Sequence, residues 1–425
     1  MNRGSGQRIT VFAAGSRGDV QPCVVLGKAL RRAGYDVLLA APENFASFAQ
    51  ENNLNFHPLR GDVQSIMAGE TGRKFMESGS ANPIRSIRAM RAMLEPVALR
   101  MAEDACDACQ GAAALIALAV FAPFTKSIAE IRDLPLIHVE PTPLLPTRAF
   151  PAPGWLVQRS LGGLHNRLAG IAMLQVIWQW YRGPVNSFRR RYGLAAYSAA
   201  DFHKILRSTP LLGAYSSHVI HQPPDWPQSV RITGYWLPDD SPGWQPAPEL
   251  EAFLEAGEPP VYVGFGSMSG QNPERLAKIV LEALAKTGRR GLLLTGWGGM
   301  RAVAVPKRVL VIDSAPHGWL FPRMAAVVHH GGAGTTAEGL RAGAPSVILP
   351  FMMDQPFWGE RVRALGVGPE PIPMKKLTAE RLANAIEAAV SQPEIKRRAA
   401  SLGEAIRAED GVGNAIEILR ECLGA

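Results

Sequence analysis

The chain of 425 residues is 47% hydrophobic and 19% charged, which excludes a disordered protein and predicts two globular domains of about equal size. Its formal net charge of +8 favours anionic ligands or an anionic surface. The sequence has no zinc-finger spacing, ribonucleoprotein motif or basic-aromatic array, so no nucleic acid is predicted as a partner.

The N-terminal segment and the cysteine content both predict a cytoplasmic protein. The N-terminal segment lacks the long apolar core of a secretion signal, and the apolar run 112–120 is too short to span a bilayer. Cys106 and Cys109 form a CxxC in helix-like sequence without a second pair, so we interpret their spacing as incidental. We therefore expect a reduced, cytoplasmic compartment.

The chain begins with the pattern of a doubly wound α/β domain. Residues 9–15 predict a strand, 16–19 a loop, 20–35 a helix and 37–41 a second strand. Ligands of such domains bind beyond the carboxyl ends of the strands, which is where Asp19 lies. From its position alone, Asp19 is either a helix N-cap or a functional carboxylate.

The segment 155–192 is rich in tryptophan and arginine and contains no acidic residue. It predicts either a core helix with solvated arginines, which we favour, or an amphipathic helix in peripheral contact with an anionic membrane. Residues 205–215 and 230–233 then predict late strands of the first domain. The turn-rich residues 235–245 predict a linker.

The second domain begins with a buried strand that brings Gly264, Gly266 and Ser267 to its carboxyl edge. Asn272 is the predicted cap of the next helix. Further strands follow, and two amphipathic helices at 378–390 and 414–423 end the chain.

The most informative stretch, 325–355, predicts a strand, a glycine loop, a helix that begins at Thr335, a second strand and a polar loop. Such a loop at a helix N-terminus is a ready anion site, because unpaired amides and the helix dipole point at one spot. His329 and His330 are predicted beside that spot. The sequence therefore predicts a diphosphate site.

The runs HHGGAGTTAEGLRAGAP and PFMMDQPFW in this stretch resemble the nucleotide-sugar motif of the UDP-sugar-dependent glycosyltransferases. They are most similar to the branch with sterol glucosyltransferases and the bacterial enzymes that glycosylate macrolides and glycopeptides. The resemblance implies the glycosyltransferase-B fold, two Rossmann-like doubly wound α/β domains facing a cleft. It assigns residues 1–234 to an acceptor-binding domain, 246–411 to a nucleotide-sugar-binding domain, and a terminal helix, 412–425, that packs back on the first.

The resemblance also implies site residues. Gly18-Asp19-Val20-Gln21-Pro22 occupies the place of a G-H-x-x-P run that supplies a catalytic histidine in many plant members, and the sterol and glycopeptide branch similarly uses G-D, so Asp19 would be the general base. The implied donor contacts are His330, Gly332, Gly334, Thr335 and Ser267 for the diphosphate, Ser314, His317 and Glu338 for the nucleobase and ribose, and Asp354 and Gln355 for the sugar.

Two parts of the site are less specific. Ser314 stands where the family usually has a tryptophan that stacks on the base, so UDP and TDP donors both stay open. The proline-rich loop after residue 140 and the aromatic residues of 155–192 would line the acceptor pocket. His138 and Glu140 could contribute to that pocket, although a hydrogen-bonded strand end is the preferred interpretation of His138.

The resemblance implies a transfer of a hexose, with glucose as the expected sugar, from a UDP-sugar to a hydroxyl of an apolar acceptor such as a sterol, macrolide, polyketide or flavonoid. Attack from the face opposite the leaving group would make the transfer inverting. The sequence has no Asp-x-Asp pair, so we expect no metal and no cofactor: the glycine loop, its helix dipole and a charge on His330 would neutralise the diphosphate. A nucleotide-sugar epimerase and a non-catalytic lipid or sterol carrier are the alternatives.

Overall fold

The structure is a computed structural model that describes residues 6–61, 83–238, 243–266, 273–295 and 305–424. The predicted diphosphate contact of Ser267 and the predicted cap at Asn272 lie outside these ranges, as does part of the predicted linker. The chain divides into two compact units, Met1–Trp236 with Asp410–Ala425, and Leu237–Glu409. Each unit has its own parallel sheet with helices, which confirms the predicted α/β class.

The first unit is built on a sheet of seven strands among the described residues. They are β1 (Arg8–Phe12), β2 (Asp36–Pro42), β3 (Asn55–Leu59), β4 (Ala114–Leu118), β5 (Leu136–Glu140), β6 (Leu211–Gly213) and β7 (Val230–Ile232). All pair in parallel in the order β3-β2-β1-β4-β5-β6-β7. The order reverses between β1 and β4, so the carboxyl end of β1 lies at the crevice where such sheets bind ligands.

Helices connect these strands. They are α1 (Arg17–Arg32), α2 (Ala46–Glu51), α3 (Pro83–Ala108), α4 (Ala122–Arg132), α5 (Gly163–Arg191) and α6 (Ala199–Ser208). In α1 the buried residues recur at helical spacing, from Val20 through Val24 to Leu30, so one face packs on the sheet. Gly34, with φ of +95°, lets the chain turn back into β2.

The second unit has five parallel strands among the described residues. They are β8 (Val261–Gly264), β9 (Gly291–Leu294), β10 (Val309–Ile312), β11 (Ala326–His329) and β12 (Ser346–Ile348). Their order is β10-β9-β8-β11-β12. The helices are α7 (Pro248–Glu255), α8 (Pro273–Thr287), α9 (His317–Leu320), α10 (Ala333–Arg341), α11 (Gln355–Leu365), α12 (Ala379–Ser391) and α13 (Pro393–Arg407).

The last helix, α14 (Gly411–Leu423), belongs to the first unit. Ala415 and Leu419 join the apolar core that α1 forms with the sheet. The indole N–H of Trp236 donates to the Thr233 hydroxyl at 3.0 Å and to the Gly411 carbonyl at 3.1 Å, which ties the start of α14 to the end of the first unit.

The predicted strand over 205–215 is wrong in its first half. Residues up to Ser208 belong to α6, and only Leu211–Gly213 form a strand. Ser198 and Asp201 form a capping box that starts the helix, and Phe202, Ile205 and Leu206 bury one helical face. The cap and the 3.6-residue spacing of the buried residues determine a helix here, although the short apolar run predicted a strand.

The segment 155–192 contains α5, and the second half of that helix is a core helix. Trp178, Trp180, Tyr181 and Phe188 are buried. The arginines are not all solvated as predicted, because Arg189 is buried and its guanidinium donates to Glu130 at 2.8 Å. No helix among the described residues is long and apolar enough to cross a membrane.

Candidate functional site

The glycine loop after β11 is held in a conformation that other residues could not adopt. Gly331 has φ of +88°, and a Cβ there would lie 2.6 Å from Cγ2 of Ile348 and 3.1 Å from the carbonyl oxygen of Gln355. Gly332 is the N-cap of α10, so the helix begins at Ala333, two residues earlier than predicted. Gly334 and Thr335 therefore lie in the first helical turn.

The N-terminus of α10 offers several backbone donors. The amide of Thr336 makes the first bond of the helix, to the Gly332 carbonyl at 2.9 Å. The amides of Ala333, Gly334 and Thr335 precede that bond and have no carbonyl within the helix to bind. A Cβ on Gly334 would meet no described heavy atom within 4 Å, so space is open beside these amides. The arrangement suits an anion.

His330 lies against two glycines. A Cβ on Gly332 would be 2.5 Å from Nε2 of His330, and a Cβ on Gly266 would be 3.4 Å from its Cε1. Burial lowers the pKa of His330 to about 4, and its Nδ1 has no hydrogen-bond partner among the described residues. Contrary to the sequence prediction of a charged imidazole, His330 is neutral at pH 7 in this state. It can still donate a hydrogen bond, and a bound diphosphate would raise its pKa.

His329 lies at the carboxyl end of β11, as predicted, but its side chain points into the protein. It is fully buried as the last residue of β11, and its Nδ1 accepts a hydrogen bond from the Gly331 amide at 3.1 Å. Burial, followed by the neighbouring His330 and His317, holds the pKa of His329 well below its usual range. His329 is therefore a neutral support of the glycine loop.

Glu338 projects from α10 in a buried position. Its side chain forms an ion pair with Arg341, with Oε2 and the guanidinium 3.8 Å apart, and the residue is only 6% exposed. Glu338 is therefore not a solvated helix residue. Glu338 is the sixth of the nine residues of α10, and its contact with the ribose stays a prediction.

Asp354 and Gln355 both contact their own loop. The Asp354 carboxylate accepts from the indole N–H of Trp358 at 2.9 Å. The Gln355 side-chain oxygen accepts from the amides of Phe351 and Met352 at 2.8 and 3.1 Å. This fixes the orientation of both side chains. The sugar contacts of Asp354 and Gln355 stay a prediction.

The predicted base-binding loop follows β10. Ser314 is exposed, whereas the ring of His317 stacks on Phe321 with centroids 4.4 Å apart. Nε2 of His317 lies 3.4 Å from the hydroxyl of Tyr262, which reaches across Gly264. Sequence reasoning did not single out Tyr262. The only signal for it was a polar aromatic residue two positions before a glycine in a buried strand.

In the first unit, Asp19 is fixed by the start of α1. Ser16 is the N-cap, so the predicted N-cap role of Asp19 is wrong, and Asp19 is the third helical residue. One carboxylate oxygen, Oδ2, accepts from the amide and hydroxyl of Ser16 at 2.7 and 2.8 Å. A Cβ on Gly15 would be 2.5 Å from the same oxygen. These hydrogen bonds fix the carboxylate, and the residue is only half-buried. A general base needs a fixed position and access to its substrate.

Three aromatic side chains pack together in this part of the first unit. The ring of Tyr181 lies 5.7 Å from that of Phe121 and 5.9 Å from that of Phe124. Burial and then the charge of Asp19 raise the pKa of Tyr181, so the phenol stays neutral close to Asp19. These rings form an apolar environment at the carboxyl ends of β1 and β4.

The other two residues considered for the acceptor pocket are in the core. His138 is fully buried in β5, with Nε2 3.2 Å from the Thr125 hydroxyl, and burial lowers its pKa to about 3. Glu140 accepts from the Tyr215 hydroxyl at 2.7 Å, and burial raises its pKa to about 7. Within the described ranges, no group of three or more His, Cys, Asp or Glu side chains could hold a metal ion.

Both halves of the chain match known protein families. Residues 9–150 match the glycosyltransferase family 28 N-terminal domain, and residues 298–421 match the C-terminal domain of proteins like the erythromycin biosynthesis protein CIII.

Individual relatives cover almost the whole chain. A sterol 3-beta-glucosyltransferase of Arabidopsis thaliana is 36% identical over 98% of this chain and 68% of its own length. The O-mycaminosyltylonolide 6-deoxyallosyltransferase of Streptomyces fradiae is 37% identical over 97% of both chains. A sterol 3-beta-glucosyltransferase of Aspergillus fumigatus is 34% identical over 97% of this chain, which spans only 29% of that longer protein.

Solved structures agree on the fold. The glycotransferase of kitacinnamycin superimposes with a TM-score of 0.73 at 18% identity, over 99% of each chain. The glycosyltransferase VinC, solved with dTDP, gives 0.71 at 18% identity over 98% of this chain and 100% of its own. At this identity the likeness concerns the fold alone. Taken with the sequence relatives, it means that the chain belongs to the glycosyltransferases of the glycosyltransferase-B fold, in the branch that contains the sterol glucosyltransferases and the macrolide glycosyltransferases.

Proposed function

We propose that this chain transfers glucose from a UDP-sugar to a hydroxyl of an apolar acceptor, with inversion at the anomeric carbon. The observation that carries the proposal is the N-terminus of α10, where the first-turn amides have no partner among the described residues and His330 lies against Gly332. Relatives named as sterol 3-beta-glucosyltransferases support glucose and a sterol-like acceptor. The macrolide relative supports a polyketide skeleton as the second acceptor class.

The leaving diphosphate needs positive potential at the moment the bond to C1 breaks. The first-turn amides of α10 and the helix dipole provide it without reorganisation. His330 would add a hydrogen bond from its ring and take up a proton as the negative charge arrives. We therefore propose a metal-independent transfer.

The acceptor hydroxyl needs a base. Its oxygen would attack C1 as the bond from C1 to the diphosphate oxygen breaks, and its proton would pass to the Asp19 carboxylate, leaving UDP. Attack on the face opposite the leaving group inverts the centre, so an α-linked donor would give a β-glycoside.

The test is a screen of donors against acceptors. UDP-glucose and TDP-glucose are each incubated with sterols, macrolides and flavonoids, with and without a chelator, and nucleotide release and product mass are measured. We expect a product heavier by one hexose, formed equally with chelator. Conversion of the donor without an acceptor would instead support the epimerase, and acceptor binding without turnover the non-catalytic carrier.

A further inference from the structure

Exposed apolar side chains are concentrated in one short segment. Of the nine large hydrophobic residues exposed in the described part of the chain, six fall between residues 156 and 171. Their side chains are 40% to 65% exposed. Scattered exposed leucines are ordinary, but their concentration in one short segment indicates an interaction surface. We call it the leucine surface; its members are Leu156, Val157, Leu161, Leu164, Leu168 and Ile171.

The helical part of the leucine surface cannot turn inward. Leu164, Leu168 and Ile171 share the outer face of α5 at spacings of four and three residues. The opposite face is anchored, since the Asn166 side-chain amide donates to the Arg148 carbonyl at 3.0 Å. A Cβ on Gly170 would come within 2.7 Å of Pro146. The exposure is therefore built into the packing of the helix.

Basic side chains lie beside the leucine surface. Arg167 is exposed between Leu164 and Leu168, and the Arg148 side chain passes within 3.4 Å of where a Cβ on Gly163 would be. The segment 155–192 has no acidic residue. The nearby Asp225 carboxylate is engaged by Thr147 and by the Arg148 amide.

We propose that the leucine surface binds an anionic lipid bilayer, with its leucines among the acyl chains and Arg148 and Arg167 at the headgroups. An apolar stripe with a basic rim has the chemistry of an interfacial helix. The same rim disfavours a second copy as the occupant, because like charges would face each other across the contact. This inference does not depend on the identity of the donor or acceptor.

The test is sedimentation of the full chain with vesicles of phosphatidylcholine, with and without phosphatidylglycerol. Leu164→Ser/Leu168→Ser should lower the partition into anionic vesicles by roughly tenfold or more. Arg148→Gln/Arg167→Gln should lower it by about fivefold for each arginine, and added salt should have less effect on this variant than on the parent. Leu156→Ser/Leu161→Ser, outside the helix, tests the same surface if the first variant does not fold.

Two control variants remove similar side chains outside the leucine surface. Val305→Ser removes another exposed apolar side chain, and Lys375→Gln/Lys376→Gln removes two other exposed cations. Both controls should sediment like the parent. The proposal is overturned if the parent does not bind anionic vesicles, if it binds neutral vesicles equally well, or if the leucine variants bind like the controls. Loss of a dimer in the leucine variants, without vesicle binding by the parent, would identify a self-association surface instead.

Discussion

Two residues without side chains make the space in which the His330 ring lies. Gly266 and Gly332 flank the imidazole, and Gly332 also caps α10. One glycine therefore serves both the helix start and the placement of the ring. This is a reason, independent of phosphate contact, for a glycine at that position.

Gly332→Ala should displace the His330 ring, because the new Cβ would lie 2.5 Å from Nε2. We expect UDP affinity to fall by about tenfold, as when one charge-assisted hydrogen bond is lost. His330→Gln should cause a similar loss, and the double variant should be no worse than either single one, since both remove the same contact. Calorimetric titration with UDP measures all three. Additive losses would mean that Gly332 acts without the ring.

The sequence predicted the glycine loop and the polar residues around it, but not the orientation of their side chains. His329 and His330 are adjacent and chemically identical, and a shift of one residue in the end of β11 decides which one is buried. Strand ends are the least certain part of any pattern analysis. The same limit applies to Gln355, whose oxygen is bound by amides of a loop that has no periodicity.

At the scale of elements, hydrophobic periodicity predicted the strands and the long helices. The short elements depended instead on the residues that cap helices. The capping box of Ser198 and Asp201 determines α6, and the sequence prediction that ignored it placed a strand there. The start of α10 was likewise placed too late because Gly332 is an N-cap without a side chain.

The attachment of α14 gives a test at this scale. Gly411→Ala would place a Cβ 2.5 Å from the Tyr235 carbonyl oxygen and 2.9 Å from that of Gly234. We expect the free energy of unfolding of the first unit to fall by about 1–3 kcal/mol from overpacking. Denaturant unfolding followed by tryptophan fluorescence measures it. The control Glu417→Ala changes an exposed residue of the same helix and should stay within about 0.5 kcal/mol of the parent; equal losses would mean that the close packing at Gly411 is not what matters.

At the scale of the whole molecule, buried titrating groups set the dependence of stability on pH. The pKa values of His138 and His330 are lowered to about 3 and about 4, and that of His329 is also lowered. Below pH about 6.5 the unfolded histidines bind protons that the folded ones do not, so stability falls as the pH drops towards 4. Glu140, with a pKa raised to about 7, acts in the opposite sense: its contribution is present below pH about 4.5 and is lost as the pH rises through 7.

The three histidines together have a larger effect on stability than the one glutamate, which acts in the opposite direction. The parent should therefore lose stability as the pH falls from 6.5 to 4. His330→Gln should reduce that loss by up to about 3 kcal/mol, because glutamine does not titrate. Denaturant unfolding at a series of pH values measures the slope. Identical slopes for parent and variant would show that His330 is not buried as a neutral group.

The most direct test of the account compares two aspartates with the same local role. Asp19 and Asp201 each accept hydrogen bonds from the amide and hydroxyl of the serine three residues before, at the start of α1 and α6. Asp19→Asn and Asp201→Asn should each cost about 0.5–2 kcal/mol of stability through the weakened cap.

The rate of glucose transfer, measured together with UDP affinity on both variants, separates catalysis from capping. We predict that Asp19→Asn lowers kcat by about 10²–10⁴-fold with UDP affinity unchanged, and that Asp201→Asn leaves both near the parent values. A rate for Asp19→Asn within a few-fold of that for Asp201→Asn would contradict the assignment of Asp19 as the base.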